Sequence, residues 1–268
     1  MSDPSSANDP VQVICIKWGT IYFAEDVNKL RSMLERNSSR PIQLHLFTND
    51  PIEGLHEDIK VHPEPGLNIA KEDDGYSYRK EAALCDDNLG GLNGQRVFFF
   101  DLDMVITGNL DELFDYPEGD KFYIINDWNT RGDHVGQASC YSFVVGTLGF
   151  VKAEYEKDPL AYQKRFGTAS QEYLSSKVIE RDGHLNFWPD EWFRSFRFHC
   201  VPHPLLRWFT TPKMPPKETK AIAFHGLPDI RGAIEGKWGS PSDVKRAKGW
   251  KRLYKHCKPT PWVTDYWK

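Results

Sequence analysis

Apolar residues in this chain come in short, nearly unbroken runs, and the stretches between them repeat at helical spacing. That alternation predicts an α/β fold, with buried strands in a sheet and helices on its faces. Val11 to Ile16 is the first such run and reads as a central strand. From Ala24 to Arg36, Val27, Leu30, Met33 and Leu34 recur at helical spacing behind an acidic first turn, so a helix follows. Ile42 to Thr48 alternates as a second strand and Ile59 to His62 as a short third. Residues 63–77, rich in Gly, Pro and acids, predict a mobile loop, and Tyr78 to Leu84 a helix. Val97 to Thr107 holds the strongest run of all, a buried strand that ends at Asp101 and Asp103, after which hydrophobic residues resume. An acidic helix is expected from Leu110 to Phe114, a strand at Phe122 to Ile125, and a return to the sheet within Cys140 to Gly149. Ser170 reads as the N-cap of a helix running to about Glu180. The aromatic, proline-broken stretch 183–212 predicts short irregular elements, as an acceptor-binding wall or a lid of core aromatics. Ala221 to Gly226 is a last strand, and Ser242 to Lys258 a terminal helix. Residues 1–10 read as a disordered leader, 11–240 as one domain and 241–268 as a basic, aromatic tail.

Chemistry gathers where these runs stop. Ligands of open α/β sheets bind outside the carboxyl ends of the strands, and Asp101 and Asp103 follow Val97-Phe98-Phe99-Phe100 directly. Two carboxylates so close repel, and burying both as anions is costly unless a positive charge lies between them. Hard oxygen ligands favour Mg²⁺ or Mn²⁺, ions that bridge to substrate phosphates. The plainer alternative has Asp101 capping the next turn and Asp103 in solvent. Lys17-Trp18-Gly19 after the first strand and Thr48-Asn49-Asp50 after the second are candidates for holding a nucleotide base or ribose. Asp127 ends another strand beside Asn126 and Trp128, as a sugar site would require. His225 ends the last, as a metal-binding imidazole or a structural one.

Phe99 through Phe114, with its strand, Asp-x-Asp and Leu-Phe helix, resembles the nucleotide-sugar glycosyltransferases of the GT-A fold, above all family 8, the glycogenin and lipopolysaccharide-galactosyltransferase group. The resemblance implies a Rossmann-like mixed sheet and transfer of a hexose from a nucleotide diphosphate, UDP for preference, with retention. It implies Mn²⁺ or Mg²⁺ on Asp101, Asp103 and His225. It places Lys80, with Arg79 as neighbour, near donor sugar and phosphate; the alternative is a surface pair of Lys80 with Glu81. In the family's His-x-x-Gly-x-x-Lys motif Arg231 takes the lysine place, with Lys237 as substitute, and Pro228 stands where glycine is usual. Asp127 and Gln171 become candidates for holding the transferred sugar. The family's Gly-Asp-Gln is Ala169-Ser170-Gln171 here, so its aspartate is missing.

Haloacid-dehalogenase phosphatases also carry an apolar strand and Asp-x-Asp, with Asp101 as nucleophile. Their motif opens the domain, however, whereas Asp101 follows two β-α units and no later acidic pair completes a Mg²⁺ site. A non-catalytic carbohydrate-binding protein on a degenerate GT-A fold is the third reading.

Composition narrows the partners. A formal charge of −4 with 40% hydrophobic and 27% charged residues describes an ordinary globular chain with no general attraction for nucleic acid. Aromatics make up 13%, nine of them Trp, which suits either sugar stacking or a large core. Five scattered cysteines suggest reduced thiols in the cytoplasm. No apolar run is long enough to span a bilayer, so membrane contact would be peripheral. The basic tail offers either a surface for anionic lipid or a charged acceptor, or merely a solvated helix face. The expected partners are a nucleotide-sugar donor and a carbohydrate or glycolipid acceptor.

Overall fold

β1 (Val11–Ile16) has no polar face to give to water, and it lies inside a seven-stranded sheet with a strand on each side. Its neighbours are β2 (Ile42–Phe47) and β4 (Arg96–Phe100), both parallel to it. Beyond β2 lies β3 (Lys60–His62); beyond β4 come β7 (Gly136–Val144), β6 (Tyr123–Asn126) and β8 (Asn186–Phe187). β7 alone runs against the others, pairing antiparallel with both β4 and β6. β1, β2, β4 and β6 therefore end on the same edge. The computed structural model describes residues 9–70, 78–130, 132, 134–238 and 255–268.

The chain divides into two compact units. The first takes Met1–Gly19, Arg40–Asp101 and Glu112–Trp188. It holds the large sheet with α2 (Tyr78–Glu81), α4 (Gly149–Lys157), α5 (Pro159–Phe166) and α6 (Ser170–Asp182). Aromatic stacking fills its core, with Phe99 on Tyr141 at 4.6 Å and Tyr78 on Tyr155 at 4.4 Å between ring centres. Such pairs contribute about 1 kcal/mol beyond the area they bury. Trp188 is buried among Phe98, Tyr116 and Tyr123, so it is a core residue of this unit.

The second unit takes Thr20–Ser39, Leu102–Asp111 and Pro189–Lys268. α1 (Ala24–Arg36) buries Val27, Leu30, Met33 and Leu34, the four positions its spacing marked. A three-stranded sheet has β10 (Ala221–Ala223) at its centre, antiparallel to β5 (Met104–Ile106) and parallel to β9 (Phe193–Ser195). α7 (Ile230–Glu235) and α8 (Trp262–Tyr266) complete it, and α3 (Asp111–Asp115) begins at its boundary. Trp192 is core here, while Phe198, Trp208 and Phe209 face solvent.

β4 ends at the two acids, as its apolar run implies: after Asp101 N donates to Ser139 O at 2.9 Å, Leu102 and Asp103 turn, and β5 joins the smaller sheet. Two expectations at helices need restating. Ser170 is not an N-cap. Ala169 holds that position, and the Ser170 hydroxyl donates instead to Glu81. The helix expected over 242–258 lies largely outside the described residues, and 255–258 are not helical. The leader and the loop at 63–77 also lie partly outside them. All five cysteines are free and buried. Among the described residues no helix is long and apolar enough to cross a membrane.

Candidate active site

At the carboxyl edge of the large sheet the polar residues brace one another. Lys17 Nζ, almost wholly buried, donates to Gly19 O at 3.0 Å and to Asp50 Oδ2 at 3.2 Å, tying the ends of β1 and β2 together. Thr48 Oγ1 accepts from Asp50 N at 3.1 Å, and Asn49 Oδ1 accepts from Glu64 N at 3.0 Å. Glu64 is buried and holds Arg79 through both its oxygens, at 2.6 and 3.1 Å. A bidentate pair of this kind fixes orientation as well as charge. A cavity of about 220 Å³ lies beside it, lined by Asn49, Glu64, Leu67 and Arg79. Trp18 packs partly buried against the core.

Asp101, at the end of β4, meets Lys80 from α2. Lys80 Nζ donates to Asp101 Oδ2 at 2.7 Å and also lies 3.2 Å from Glu81 Oε1. The pair of Lys80 with Glu81 is present, and it is buried instead of lying at the surface. Glu81 Oε2 accepts from Ser170 Oγ at 2.7 Å. Burial pushes the Glu81 carboxyl above its ordinary range, while Lys80 and Ser170 pull the other way. Gln171 Oε1 accepts from Ala138 N at 3.3 Å, which turns the side chain toward β7.

Asp127 follows β6 and is 3% exposed. Its Oδ2 accepts from Asn129 N, Thr130 N and Thr130 Oγ1 at 3.1, 2.9 and 2.8 Å. Its Oδ1 is buried with no hydrogen-bond partner among the described residues, and so is Asn126 Oδ1 next to it. A buried acceptor without a donor costs about 1–3 kcal/mol.

Asp103, His225, Arg231 and Lys237 belong to the second unit. Phe224 N donates to Asp103 O at 3.0 Å, which sets the backbone of the acid next to that of β10's end. His225 follows, and Gly226 at φ +80° makes the turn there, a conformation that disfavours any side chain. His225 Nε2 is 2.8 Å from Ser195 Oγ. Ser195 Oγ also accepts from Phe198 N at 3.3 Å. Lys237 is exposed and paired with Glu235 at 2.5 Å, which makes it a surface cation. Arg231 instead lines a cavity of about 550 Å³ with Tyr22, Asp26, Asp103, Phe224 and Trp267.

Oxygen and imidazole donors suit Mn²⁺ or Mg²⁺ in kind. Among the described residues, however, no group of three or more His, Cys, Asp and Glu side chains is gathered closely enough to hold an ion. Three participants were not singled out from the sequence as site residues: Asp26, Ser195 and Trp267. Each works through a contact distant in the chain, which leaves no local signal.

No family model matches this chain, nor does any curated protein. Solved structures do. The galactosyltransferase LgtC, in complex with donor and acceptor sugar analogs, matches at a TM-score of 0.55 and 13% identity, over 82% of this chain and 89% of that one. The fold is the GT-A glycosyltransferase fold. The bifunctional glycosyltransferase WbbM shares the GT-A match at 0.54 and 14% identity, over 82% of this chain and 46% of that one. The apo glycosyltransferase GlyE of Streptococcus pneumoniae gives 0.50 and 11%, over 92% and 59%. In the GT-A sheet of this chain, Lys17, Thr48, Asp101 and Asp127 share one edge, as the strand pattern predicts.

Proposed function

We propose that this chain is a glycosyltransferase that moves a hexose from a UDP-linked donor to an acceptor hydroxyl, with retention, in glycan or polysaccharide synthesis. The reading is carried by Asp101 at the end of β4, gripped by Lys80, in a GT-A sheet. It is supported by a structural neighbour that binds donor and acceptor sugar analogs.

The reaction breaks the bond from the anomeric carbon to the diphosphate oxygen and forms one to the acceptor oxygen, whose proton leaves with the phosphate. Negative charge grows on the leaving group, so fixed positive charge accelerates the step. Lys80 is a candidate for it, with a desolvated ammonium held by two acids. Arg231 is the other, able to offer a planar fork of donors to phosphate. Asp127 Oδ1 and the Gln171 amide would hold the transferred sugar, and the negative Asp127 would favour an oxocarbenium-like centre. The family resemblance implies Mn²⁺ or Mg²⁺ on Asp101, Asp103 and His225, and a bound ion would supply Lewis-acid stabilisation to the diphosphate. The five reduced thiols favour the cytoplasm, and basic residues such as Lys251 and Lys255 a contact with anionic lipid.

A thermal-shift panel of nucleoside diphosphates and nucleotide sugars, with and without Mn²⁺, tests the reading, because a ligand of the folded state raises its stability by mass action. UDP or a UDP-sugar should raise Tm, and more so with the ion. No shift with any nucleotide would overturn the proposal.

A further inference from the structure

Arg231 is held from two directions inside the second unit. Its NH2 donates to Asp26 Oδ1 at 2.7 Å, and Asp26 is only 2% exposed. The carboxylate is itself fixed, because Asp26 Oδ2 accepts from Phe23 N at 2.8 Å in the first turn of α1. On another side the guanidinium carbon lies 4.9 Å from the centre of the Trp267 ring, which also carries the Lys29 ammonium at 3.6 Å. Arg36 in turn donates to the carbonyls of Tyr266 and Lys268, pinning the backbone on both sides of Trp267. Asp26, Arg231 and Trp267 all line the cavity of about 550 Å³.

We infer that Asp26 and Trp267 are positioning residues that preset Arg231 to receive the diphosphate of a nucleotide in this cavity, an inference resting on the donor proposed above. A free arginine carries rotamer entropy that a ligand must overcome on binding. Anchoring the guanidinium beforehand removes most of that cost and fixes the direction of its fork. Asp26 takes one of five N–H donors, so the fork keeps others for phosphate oxygens. The price is a counter-charge: Asp26 offsets part of the attraction between Arg231 and an anion. Orientation and net charge thus make opposite demands on Asp26, and a substitution there separates them by sign.

The experiment titrates UDP and uridine, with Mn²⁺ in every sample, into wild type, Arg231→Gln, Asp26→Asn, the double variant and Trp267→Leu. Arg231→Gln should raise the Kd for UDP about tenfold or more and leave uridine unchanged. Asp26→Asn should raise it about three- to tenfold in the wild-type background and add nothing in Arg231→Gln. Trp267→Leu should weaken UDP through the separate ring contact, and it decides the matter should Asp26→Asn fail to fold. Tighter or unchanged UDP binding in Asp26→Asn would overturn the inference, as would an equal loss for uridine or an equal loss in the Arg231→Gln background, the marks of a helix cap alone. Wild type that binds UDP while Asp26→Asn matches it removes this inference and leaves the transferase reading. Wild type that binds no nucleotide removes both.

Discussion

The Lys80 ammonium stands 2.7 Å from Asp101 Oδ2 and 3.2 Å from Glu81 Oε1, so a single cation answers two carboxylates. Glu81 is the more buried of the two, and desolvation is the largest influence on it. Removing Lys80 would leave that acid without its counter-ion. Lys80→Met should therefore lower stability by about 3 kcal/mol in urea unfolding, and Glu81→Gln added to it should restore much of the loss. Turnover should fall by about a hundredfold in Lys80→Met even where the protein stays folded. Equal activity in that variant would remove Lys80 from the site.

Asp103 lines the cavity of about 550 Å³, and the pairing of β5 with β10 uses backbone. Asp103→Ala should keep its circular dichroism and lose turnover by about a thousandfold or more. Unchanged metal-dependent transfer would sink the assignment.

A histidine pair gives the protein an acid limit. His45, on β2, is buried, with Nδ1 2.8 Å from His62 Nε2 and its own Nε2 2.8 Å from Gln12 Oε1. Burial, then the charges of His62 and Lys60, push His45 down from 6.5 to about 4. The folded state thus refuses a proton that the unfolded chain accepts. Stability from this residue is complete above pH 6.5 and drains away as pH falls toward 4, by about 3 kcal/mol in all. Unfolding curves between those pH values should flatten in His45→Gln, whose side chain stays neutral. An equally steep loss in the variant would assign the acid limit to other groups.

Gly236 ends α7 at φ +72°, and a Cβ there would sit 2.5 Å from Pro259 Cδ and 2.7 Å from Pro259 N. Neither a ring nor a backbone nitrogen gives way easily. Gly236→Ala should cost about 1–3 kcal/mol, seen as a lower midpoint in denaturant. A neutral result would mean that the contact with Pro259 is not kept in solution.

Much of this fold is legible in the chain because its signals are local. β1 and α1 have the bounds their hydrophobic pattern gives, and the strand ends carry the polar residues expected of them. The end of the strand at Asp101 is legible, but the passage of β5 to a second sheet is not, since the apolar residues on both sides are buried alike and only the partner strands tell two sheets apart. β7 begins at Gly136, earlier than its sequence suggests, because Gly136, Gln137, Ala138 and Ser139 are small or polar yet buried. The grip of Asp26 on Arg231 spans 205 positions, and no spacing rule reaches that far. Lys80 stands out only through a resemblance, and Glu81 beside it reads as a surface acid although it is buried.

Five thiols shut away from water give this protein a built-in set of clocks. Cys15, Cys85 and Cys140 belong to the first unit, Cys200 and Cys257 to the second, and burial raises the pKa of each. A thiol dye can react only with a thiolate it can touch, so labelling waits for each region to open. Mass spectrometry of the tagged peptides would then time the opening of either unit separately, in the unaltered chain, with nucleotide present or absent.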